Sequence, residues 1–487
     1  MAVTNGTRDQ WNHCWINGEK HSLPTALDVT NPATGEVVGR VPLGGEREAR
    51  LAVDAAAQAF PLWARLPAQT RAGYLMEWAE RIVRDRDVLA ELLTAEQGKP
   101  LDEARDEIEG AAAFIRWYAE EGKRAYGEVI PASREQQRIL VLRQPVGVAA
   151  LITPWNYPAA MVARKMAPAL AAGCTAVLKP ARQTPLIAVA LFDHLMETGL
   201  PAGAANLVTG EADAIGGAWL SDPRVRKLSF TGSTAVGKQL MRRAADQVKR
   251  LSLELGGNAP VIVFPDADLE RAAEAIVANK FENAGQMCNG INVIYAHQEI
   301  ADALTERIVA RVRSLRVGAG TEPGVQVGPL IDENAVRRAE QLVADARENG
   351  ARILTGGYRL AAGAYARGHF FAPTVLDGVT RAMAVTREEI FGPVAPIVRF
   401  ASEEEVLRWA NETPYGLAAY VFTRDLGRSC RMSEGLEFGM VAVNGTSLSV
   451  PQAPFGGIKE SGVGREGGHH GLAEYLDVKY VTLTLPD

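Results

Sequence analysis

The chain has 487 residues, more than one hydrophobic core usually organises, so two or three lobes with a large buried interior are expected. Its composition is ordinary for a folded protein, with 47% hydrophobic and 23% charged residues and with 47 glycines and 26 prolines scattered along the chain, which argues against extensive disorder. A formal net charge of -6 gives no electrostatic reason to expect a nucleic acid or an anionic membrane as a partner.

The N-terminal sequence MAVTNGTRDQWNHC has neither the basic start nor the apolar core of a signal peptide. No stretch of the chain approaches the roughly 18 apolar residues that a membrane-spanning helix needs. The four cysteines, at positions 14, 174, 288 and 430, form no C-x-x-C pair and have no histidine at a zinc spacing. We therefore expect a cytoplasmic protein with reduced thiols and no metal site.

The first half of the chain predicts helices followed by alternating strands and helices. Residues 46–60 and 68–125 have the periodicity of amphipathic packing helices. The segment 137–153 predicts two strands, the second buried on both faces. The next predicted elements are a strand at 171–181, a helix at 184–199 and strands at 205–210 and 226–232. This alternation predicts a parallel, doubly wound sheet that binds a nucleotide at the carboxyl ends of its strands.

A second α/β series begins near residue 261 and continues to about residue 450. Its first predicted elements are a strand at 261–264, a helix at 268–285, a strand at 291–296 and a helix at 298–315. This is enough chain for a second α/β lobe. The tail 476–485 alternates like an exposed strand, and because exposed strand edges are usually paired or covered, we expect it to serve oligomerisation.

Short motifs follow one another along the chain: PWNYP (154–158), KPA (179–181), FTGST (230–234), LELGG (253–257), GQMC (285–288), EEIFGP (388–393) and PFGGIKESGVGRE (454–466). In this order and at this spacing they are highly specific, and the chain resembles the aldehyde dehydrogenase superfamily over essentially its whole length. The resemblance is strongest to succinate-semialdehyde dehydrogenases, through residues 152–175, VRKLSFTGST, SLELGGNAP and VGPLIDE (327–333).

The resemblance implies an α/β fold with two doubly wound lobes, a Rossmann-like cofactor domain and a catalytic domain, together with a small β element for oligomerisation. The implied division is an NAD(P)-binding domain at 1–124 and 145–255, a catalytic domain at 256–455, and oligomerisation strands at 125–144 and 470–487. A homodimer or homotetramer is the implied assembly.

Cys288 is the predicted nucleophile, because it follows a helix through a polar, glycine-containing bend that can bring its sulfur to a cavity. A thiolate can attack an aldehyde to give a thiohemiacetal, which becomes a thioester once hydride leaves. The resemblance implies that Asn156 donates to the developing oxyanion beside the backbone N–H of Cys288, although an asparagine here could also cap a turn. The other cysteines, Cys14, Cys174 and Cys430, are interpreted as inert.

Glu254 lies in the apolar run SLELGG, where an ionised carboxylate is costly unless it is paired or faces a cavity. Burial would raise its pKa toward neutrality, which suits the general base that activates water, the role that the resemblance implies. A strand-edge salt bridge is the structural alternative. Glu466 matches a position associated with a proton relay, and a structural ion pair is equally consistent with the sequence.

The cofactor site lacks a G-x-G-x-x-G fingerprint, but residues 230–234 run from a strand into a helix and offer backbone N–H groups to a pyrophosphate. By resemblance, Lys179 binds the adenine ribose and Glu389 the nicotinamide ribose. Arg182 stands where NAD-preferring relatives commonly carry a glutamate, so NADP is favoured over NAD unless Arg182 points into solvent. The predicted cofactor contacts are Ile152, Thr153, Pro154, Trp155, Lys179, Ala181, Arg182, Gly210, Phe230, Thr231, Gly232, Ser233, Val236, Leu255, Gly256, Glu389 and Phe391.

Arg164 and Ser449 match an arginine and a serine that grip the distal carboxylate of the substrate in the succinate-semialdehyde group, although Arg164 could also form an ordinary ion pair. A second arginine is expected five residues after the nucleophile, where this chain has Val293. Gly290 replaces the second cysteine of a C-x-C pair. A wider, more apolar pocket is therefore expected, for a longer, less charged or differently anchored aldehyde.

The favoured function is NAD(P)-dependent oxidation of a small-molecule aldehyde to a carboxylic acid, with succinate semialdehyde as one candidate. One alternative is a dehydrogenase for an uncharged aliphatic or aromatic aldehyde. Another is a CoA-acylating dehydrogenase, against which Glu254 argues because a water-activating base would divert the acyl group. A third is a non-catalytic protein that retains the fold, which the joint presence of Cys288, Glu254, Asn156, Lys179 and Glu389 disfavours.

Overall fold

The computed structural model describes residues 10–486. Residues 1–9, at the start of the predicted cofactor domain, and residue 487, at the end of the predicted oligomerisation strands, lie outside it. In chain order the strands are β1 (Cys14–Ile16), β2 (Glu19–His21), β3 (Ala26–Thr30), β4 (Val37–Pro42), β5 (Glu128–Ile130), β6 (Gln137–Pro145), β7 (Val148–Ile152), β8 (Thr175–Lys179), β9 (Ala205–Leu207), β10 (Val225–Thr231), β11 (Arg250–Glu254), β12 (Ala259–Val263), β13 (Ile291–His297), β14 (Arg352–Thr355), β15 (Arg359–Leu360), β16 (Phe370–Phe371), β17 (Thr374–Asp377), β18 (Val394–Phe400), β19 (Ala418–Phe422), β20 (Met440–Val443), β21 (Gly462–Val463) and β22 (Leu476–Thr484).

The helices surround these strands. In chain order they are α1 (Glu46–Trp63), α2 (Ala68–Arg84), α3 (Arg86–Gln97), α4 (Leu101–Glu121), α5 (Pro158–Ala172), α6 (Leu186–Met196), α7 (Ala212–Ser221), α8 (Thr234–Ala244), α9 (Leu269–Phe281), α10 (Ala301–Ser314), α11 (Glu333–Glu348), α12 (Ala384–Arg387), α13 (Glu403–Asn411), α14 (Leu426–Gly435) and α15 (Gly468–Ala473).

The first large sheet has the strand order β2-β1-β9-β8-β7-β10-β11-β21, and its five central strands are parallel. The chain builds outward from β7 to β9 and then returns to the other side of β7 with β10 and β11. This reversal creates a crevice at the carboxyl ends of β7 and β10, the usual ligand position in doubly wound sheets. Two apolar clusters cover its two faces, which explains why its central strands are almost wholly apolar.

The second large sheet has the order β14-β17-β18-β13-β12-β19-β20 and is parallel except for β14. Its strands and helices enclose one large apolar cluster. The chain passes from the first sheet to the second through the short segment 255–258, between β11 and β12. The expected fold class, two doubly wound α/β lobes with a small β element, is confirmed, while the exact domain boundaries stay predictions.

The helical periodicity predicted at 68–125 corresponds to three helices, α2, α3 and α4. The interruption after α3 is Gly98-Lys99-Pro100, where Gly98 has a φ of 97° and proline begins the next element. A left-handed glycine ends a helix readily, and a proline cannot continue one from within. The break brings Lys99 into the protein interior, where it contacts the site described below.

The third sheet is antiparallel, in the order β22-β6-β5, and carries exposed apolar side chains. Val129 is 78% exposed, and Val478 and Tyr480 are also exposed. An apolar patch of this kind on a small sheet is typical of a surface that another protein surface covers.

None of the helices within residues 10–486 combines the length and the apolar character of a membrane span, and no group of three or more His, Cys, Asp or Glu residues there is placed to bind a metal ion. His469 and His470 lie exposed on the short helix α15 with their ring centroids 3.8 Å apart.

Candidate active site

Cys288 lies between a short helical turn, Glu282–Gly285, and strand β13. Asn283 and Ala284 in this turn have φ angles of 49° and 55°, a conformation that residues with a side chain rarely adopt unless their surroundings hold it. The thiol is half-buried and lines a cavity of about 860 Å³. Burial, reinforced by the neighbouring Glu254 carboxyl group, raises the pKa of Cys288 well above its usual value, so the resting sulfur is protonated.

Asn156 follows β7, precedes α5 and is buried. Its Nδ2 donates a hydrogen bond of 3.0 Å to the backbone carbonyl of Gln286, two residues before Cys288. A side-chain amide has two N–H hydrogens, so this bond leaves one available to a ligand. The fold therefore brings the predicted oxyanion donor next to the loop that carries the cysteine.

Glu254 is the last residue of β11 and is 3% exposed. Neither of its carboxylate oxygens has a hydrogen-bond partner in the part of the chain that the structure describes. Burial, reinforced by Glu466, raises the pKa of Glu254 to about 8, against a smaller opposing effect of the Cys288 thiol. A buried carboxyl group with this pKa and no fixed partner can take up and release a proton near neutral pH.

Glu466 is paired with a buried lysine. Lys165 Nζ donates to Glu466 Oε1 at 2.5 Å and to Ser229 Oγ at 3.1 Å. The other oxygen, Oε2, is buried without a partner among residues 10–486. The ion-pair alternative therefore describes one oxygen of Glu466, and the proton-relay role of this residue stays a prediction.

The carboxyl ends of the parallel strands in the first sheet carry the predicted cofactor residues. Thr231 ends β10 and Thr153 follows β7, and both hydroxyl groups are buried without a partner in residues 10–486. Nearby, Ser233 Oγ accepts the backbone N–H of Val236 at 3.4 Å and caps the first turn of α8. Orphaned buried hydroxyls beside a helix N-terminus fit a ligand that carries phosphate and hydroxyl groups.

Lys179 ends β8 and is buried, and its Nζ donates to the backbone carbonyl of Pro180 at 3.1 Å. Burial lowers the pKa of Lys179 to about 8, and Glu211 partly opposes this shift. Arg182 lies just beyond the same strand and is exposed. Its guanidinium makes no hydrogen bond or ion pair within the described part of the chain, so it is available to a ligand.

Glu389 lies against the segment that joins the two sheets. Its Oε1 accepts the backbone N–H of Gly257 at 3.0 Å, and a Cβ on Gly256 would stand only 2.6 Å from its Oε2. Burial raises the pKa of Glu389 to about 7. Phe391 packs edge to face against Trp155, with ring centroids 5.5 Å apart. Further predicted cofactor residues at or just beyond the carboxyl ends of the first sheet are Ile152, Pro154, Ala181, Gly210, Phe230, Gly232 and Leu255.

Arg164 lies on α5, is 4% exposed and lines the same cavity as Cys288. Its guanidinium lies over the rings of Phe114 and Phe455, at 4.5 and 4.7 Å from their centroids, and its Nη2 donates to Ser449 Oγ. Its Nε and Nη1 are buried with no partner in the described residues, and no carboxylate there pairs with it. Because unpaired buried cationic donors are costly, this arrangement favours an anionic group in the cavity.

Val293 does not line this cavity. It lies in β13, is 2% exposed and belongs to the apolar core of the second lobe. The expectation that Val293 widens the substrate pocket and makes it more apolar is therefore wrong, because the residue sits in a strand that is buried on both faces. Gly290 lies just before this strand, packed against Met287.

Sequence reasoning missed two pairs of residues at the cavity. Tyr157 donates its hydroxyl to Glu282 Oε1 at 2.8 Å, and both residues line the cavity wall. Lys99 Nζ donates to Glu107 Oε2 at 2.5 Å. Tyr157 could have been found because it follows Asn156 in a recognised motif. No local pattern marks Lys99, because its burial results from three helices meeting.

The chain is similar in sequence and in fold to known proteins. A family model described as "Aldehyde dehydrogenase family" matches residues 15–481. The chain is 51% identical over 472 residues to the NADP(+)-dependent succinate-semialdehyde dehydrogenase of Escherichia coli K12, covering 96% of this chain and 97% of the relative. It is 52% identical over 469 residues to a 3-sulfolactaldehyde dehydrogenase of Pseudomonas putida, covering 96% and 95%. A crystal structure of an E. coli NADP-dependent enzyme matches with a TM-score of 0.96 at 50% identity, covering 99% of both chains.

Proposed function

Since this chain belongs to the aldehyde dehydrogenase family and so uses NAD or NADP to oxidise an aldehyde to a carboxylic acid, we propose that its substrate is a semialdehyde with a distal anionic group, such as succinate semialdehyde. The observation that carries this proposal is Arg164, whose buried Nε and Nη1 have no partner in residues 10–486 although the residue lines the cavity of Cys288. An anionic oxygen is the strongest hydrogen-bond acceptor for an unsatisfied guanidinium N–H. Two relatives described above are named for aldehydes with a distal acidic group, which supports the same substrate class.

Cys288 is the proposed nucleophile. Because its thiol is protonated at rest, the sulfur must release its proton to solvent before it attacks the aldehyde carbon. The attack forms the S–C bond of a thiohemiacetal and places negative charge on the former carbonyl oxygen. Asn156 Nδ2, with the backbone N–H of Cys288, is the proposed donor pair for that oxygen.

A dinucleotide held at this site would supply the hydride acceptor, and loss of hydride from the thiohemiacetal would leave a thioester on Cys288. Glu254 then takes a proton from water as that water attacks the thioester carbon, and the sulfur leaves as thiolate with release of the carboxylic acid. The pKa of Glu254, raised to about 8, keeps it basic enough for this step. Glu466 Oε2 is free to exchange the proton onward.

The residues that would hold the dinucleotide fit it chemically. Thr153 and Thr231 offer orphaned hydroxyls, and Ser233 opens the helix whose N-terminus suits a pyrophosphate. Glu389 and Lys179 are the proposed contacts to the two ribose groups. Arg182, exposed and unpaired in the described residues, supports a preference for NADP over NAD, since a guanidinium pairs well with a 2′-phosphate.

Assembly, location and domain boundaries complete the proposal. The exposed apolar side chains of the β22-β6-β5 sheet support a homodimer or homotetramer in which 125–144 and 470–487 lie at the interface. The proposed location is the cytoplasm. The proposed domains are the cofactor domain at 1–124 with 145–255 and the catalytic domain at 256–455.

The test is a panel of kcat/KM values for succinate semialdehyde, glutarate semialdehyde, butanal and benzaldehyde, each with NADP and with NAD. We expect the two semialdehydes to exceed butanal by about 100-fold, because a buried charge pair is lost with the uncharged substrate. Equal values for butanal and succinate semialdehyde would contradict the proposed substrate class. Product analysis with coenzyme A present should give free acid, and formation of acyl-CoA would instead support an acylating dehydrogenase.

A further inference from the structure

Lys99 is a buried cation that directly contacts the residue proposed to stabilise the oxyanion. It is 1% exposed, and its Nζ donates to the backbone carbonyl of Asn156 at 3.0 Å as well as to Glu107 Oε2. The same ammonium lies 3.8 Å from the centroid of the Tyr157 ring. A buried ion pair seldom stabilises a protein more than apolar residues of the same volume would. The presence of this pair is therefore better explained by the groups that it holds in place than by stability alone.

Glu107 extends this contact to the other side of Asn156. Its Oε1 accepts the backbone N–H groups of Ala159 at 2.9 Å and Ala160 at 3.1 Å, in the first turn of α5. The N-cap residue of α5, Tyr157, makes no side-chain cap bond. A carboxylate at a helix N-terminus satisfies these otherwise unpaired donors and complements the helix dipole. The Lys99–Glu107 pair therefore holds the chain within the PWNYP bend, at Asn156, and immediately after it, at Ala159 and Ala160.

A network of buried amides fixes the cysteine loop to the same point. Asn283 Nδ2 donates to the carbonyl of Asn156 at 3.0 Å, so that carbonyl accepts from both Asn283 and Lys99. Gln97 Oε1 accepts the backbone N–H of Lys99 at 2.9 Å, and its Nε2 donates to Asn283 Oδ1 at 2.8 Å. Gln286 Nε2 donates to the carbonyl of Asn283 at 2.9 Å. These bonds leave the backbone of Asn156 little freedom relative to the Cys288 loop.

The geometry points to Lys99 as a positioning residue for the reaction: its bond to the Asn156 carbonyl holds the side-chain amide of Asn156 in the direction that the oxyanion requires, and Glu107 holds Lys99 in place. This inference rests on the proposed function, because it assigns Asn156 to the oxyanion. Lys99 itself touches no reacting atom. Its effect must therefore pass through Asn156 and disappear when the Asn156 amide is absent.

The test is a double-mutant cycle with Lys99→Met and Asn156→Ala, read out as the single-turnover rate of cofactor reduction. We expect Asn156→Ala to slow this rate by about 10²- to 10³-fold, a range that stays measurable. Lys99→Met should slow it by about 10- to 100-fold in the parent chain, since small misplacements of catalytic groups have effects of this size. In the Asn156→Ala background, Lys99→Met should change the rate less than about threefold.

Lys249→Met is the matched control, because Lys249 is also buried and its Nζ donates to two backbone carbonyls, those of Asp222 and Val225, at 2.7 Å. It should lower the Tm without changing the rate of cofactor reduction. If Lys99→Met prevents folding, the pair Lys99→Met with Glu107→Gln takes its place in the cycle, because it removes both charges together and keeps an amide oxygen for the N–H groups of Ala159 and Ala160.

The possible outcomes separate this inference from the proposed function. No cofactor reduction by the parent chain with any aldehyde would overturn the proposed function, and an Asn156→Ala variant at the parent rate would overturn the oxyanion assignment. If Asn156→Ala slows the reaction but Lys99→Met acts equally in both backgrounds, or not at all, only the positioning role of Lys99 is overturned.

Discussion

The two ends of the substrate cavity differ in how their polar groups find partners. At the reaction end, the backbone and side chain of Asn156 are bonded within the protein to Lys99, Asn283 and Gln286. At the distal end, Arg164 bonds Ser449 through Nη2 but leaves Nε and Nη1 without a partner among the described residues.

This difference suggests that the reaction end serves the chemical step and that the distal end serves the choice among substrates. Donors that are already fixed need no reorganisation when charge develops, and they suit a step common to every aldehyde. Buried donors that lack an acceptor increase the affinity only for a ligand that supplies an acceptor, and they disfavour ligands without one. Changes at the reaction end should therefore reduce the rate for all aldehydes, and changes at the distal end should alter the choice among them.

The largest effect is expected from Cys288→Ala, which removes the sulfur atom proposed to bond covalently to the aldehyde carbon. Turnover of every aldehyde should fall by at least about 10⁴-fold, because the thiohemiacetal cannot form. Cofactor affinity, measured by fluorescence titration, should stay within twofold. Substantial remaining turnover would sink the assignment of Cys288.

Glu254→Gln should be the next largest, at about 10²- to 10⁴-fold in steady-state turnover. Hydride transfer precedes hydrolysis, so a burst of reduced cofactor should still form before the slow phase. A base acts only when deprotonated, and the folded pKa of Glu254 is about 8, so the parent rate should rise with pH through about 8. The variant should lose this limb in a stopped-flow pH profile, and loss of the burst itself would instead place Glu254 at the thiol-activation step.

At the distal end, Arg164→Met should lower kcat/KM for succinate semialdehyde by about 100-fold, since a desolvated charge pair is removed. Butanal serves as the internal control, and its kcat/KM should change less than about threefold because it carries no anionic group. An equal loss for both substrates would mean that Arg164 supports the reaction end, and the contrast between the two ends would fail.

Arg182→Glu should have the smallest effect, a shift of about tenfold in the ratio of kcat/KM for NADP to that for NAD. The glutamate would repel a 2′-phosphate and accept a hydrogen bond from a 2′-hydroxyl. The aldehyde specificity should not change, because Arg182 lies beyond β8, outside the substrate cavity. An unchanged ratio would show that Arg182 does not contact the 2′ position.

Much of the fold could be predicted from the chain because its signals are local. The apolar runs of β7 and β12 predict strands of α/β lobes, and the structure gives each of them a position inside a large sheet. The helical stretch at 68–125 was harder to divide, because Gly98 and Pro100 mark a break but not the inward turn of Lys99 between them.

In the candidate site, too, some residues could be assigned from the sequence and others could not. Residues inside motifs, such as Cys288 and Glu254, could be assigned chemistry because their types and neighbours were informative. Val293 could not be judged from its distance along the chain to Cys288, because a strand starts between them and carries the valine into the core. Glu282, which does line the cavity, belongs to the turn before the cysteine and bonds Tyr157.

The sequence by itself determined the order of strands and helices and the chemical groups available for aldehyde oxidation, because periodicity and motifs depend on neighbouring residues. Only the tertiary structure decided that Arg164 lies unsatisfied in the cavity of Cys288 and that Lys99 holds Asn156, 57 positions further along the chain. The physical reason is that burial and hydrogen-bond partners depend on which elements pack together. No single segment of the sequence predicts how α3, α4 and α5 pack around the PWNYP bend.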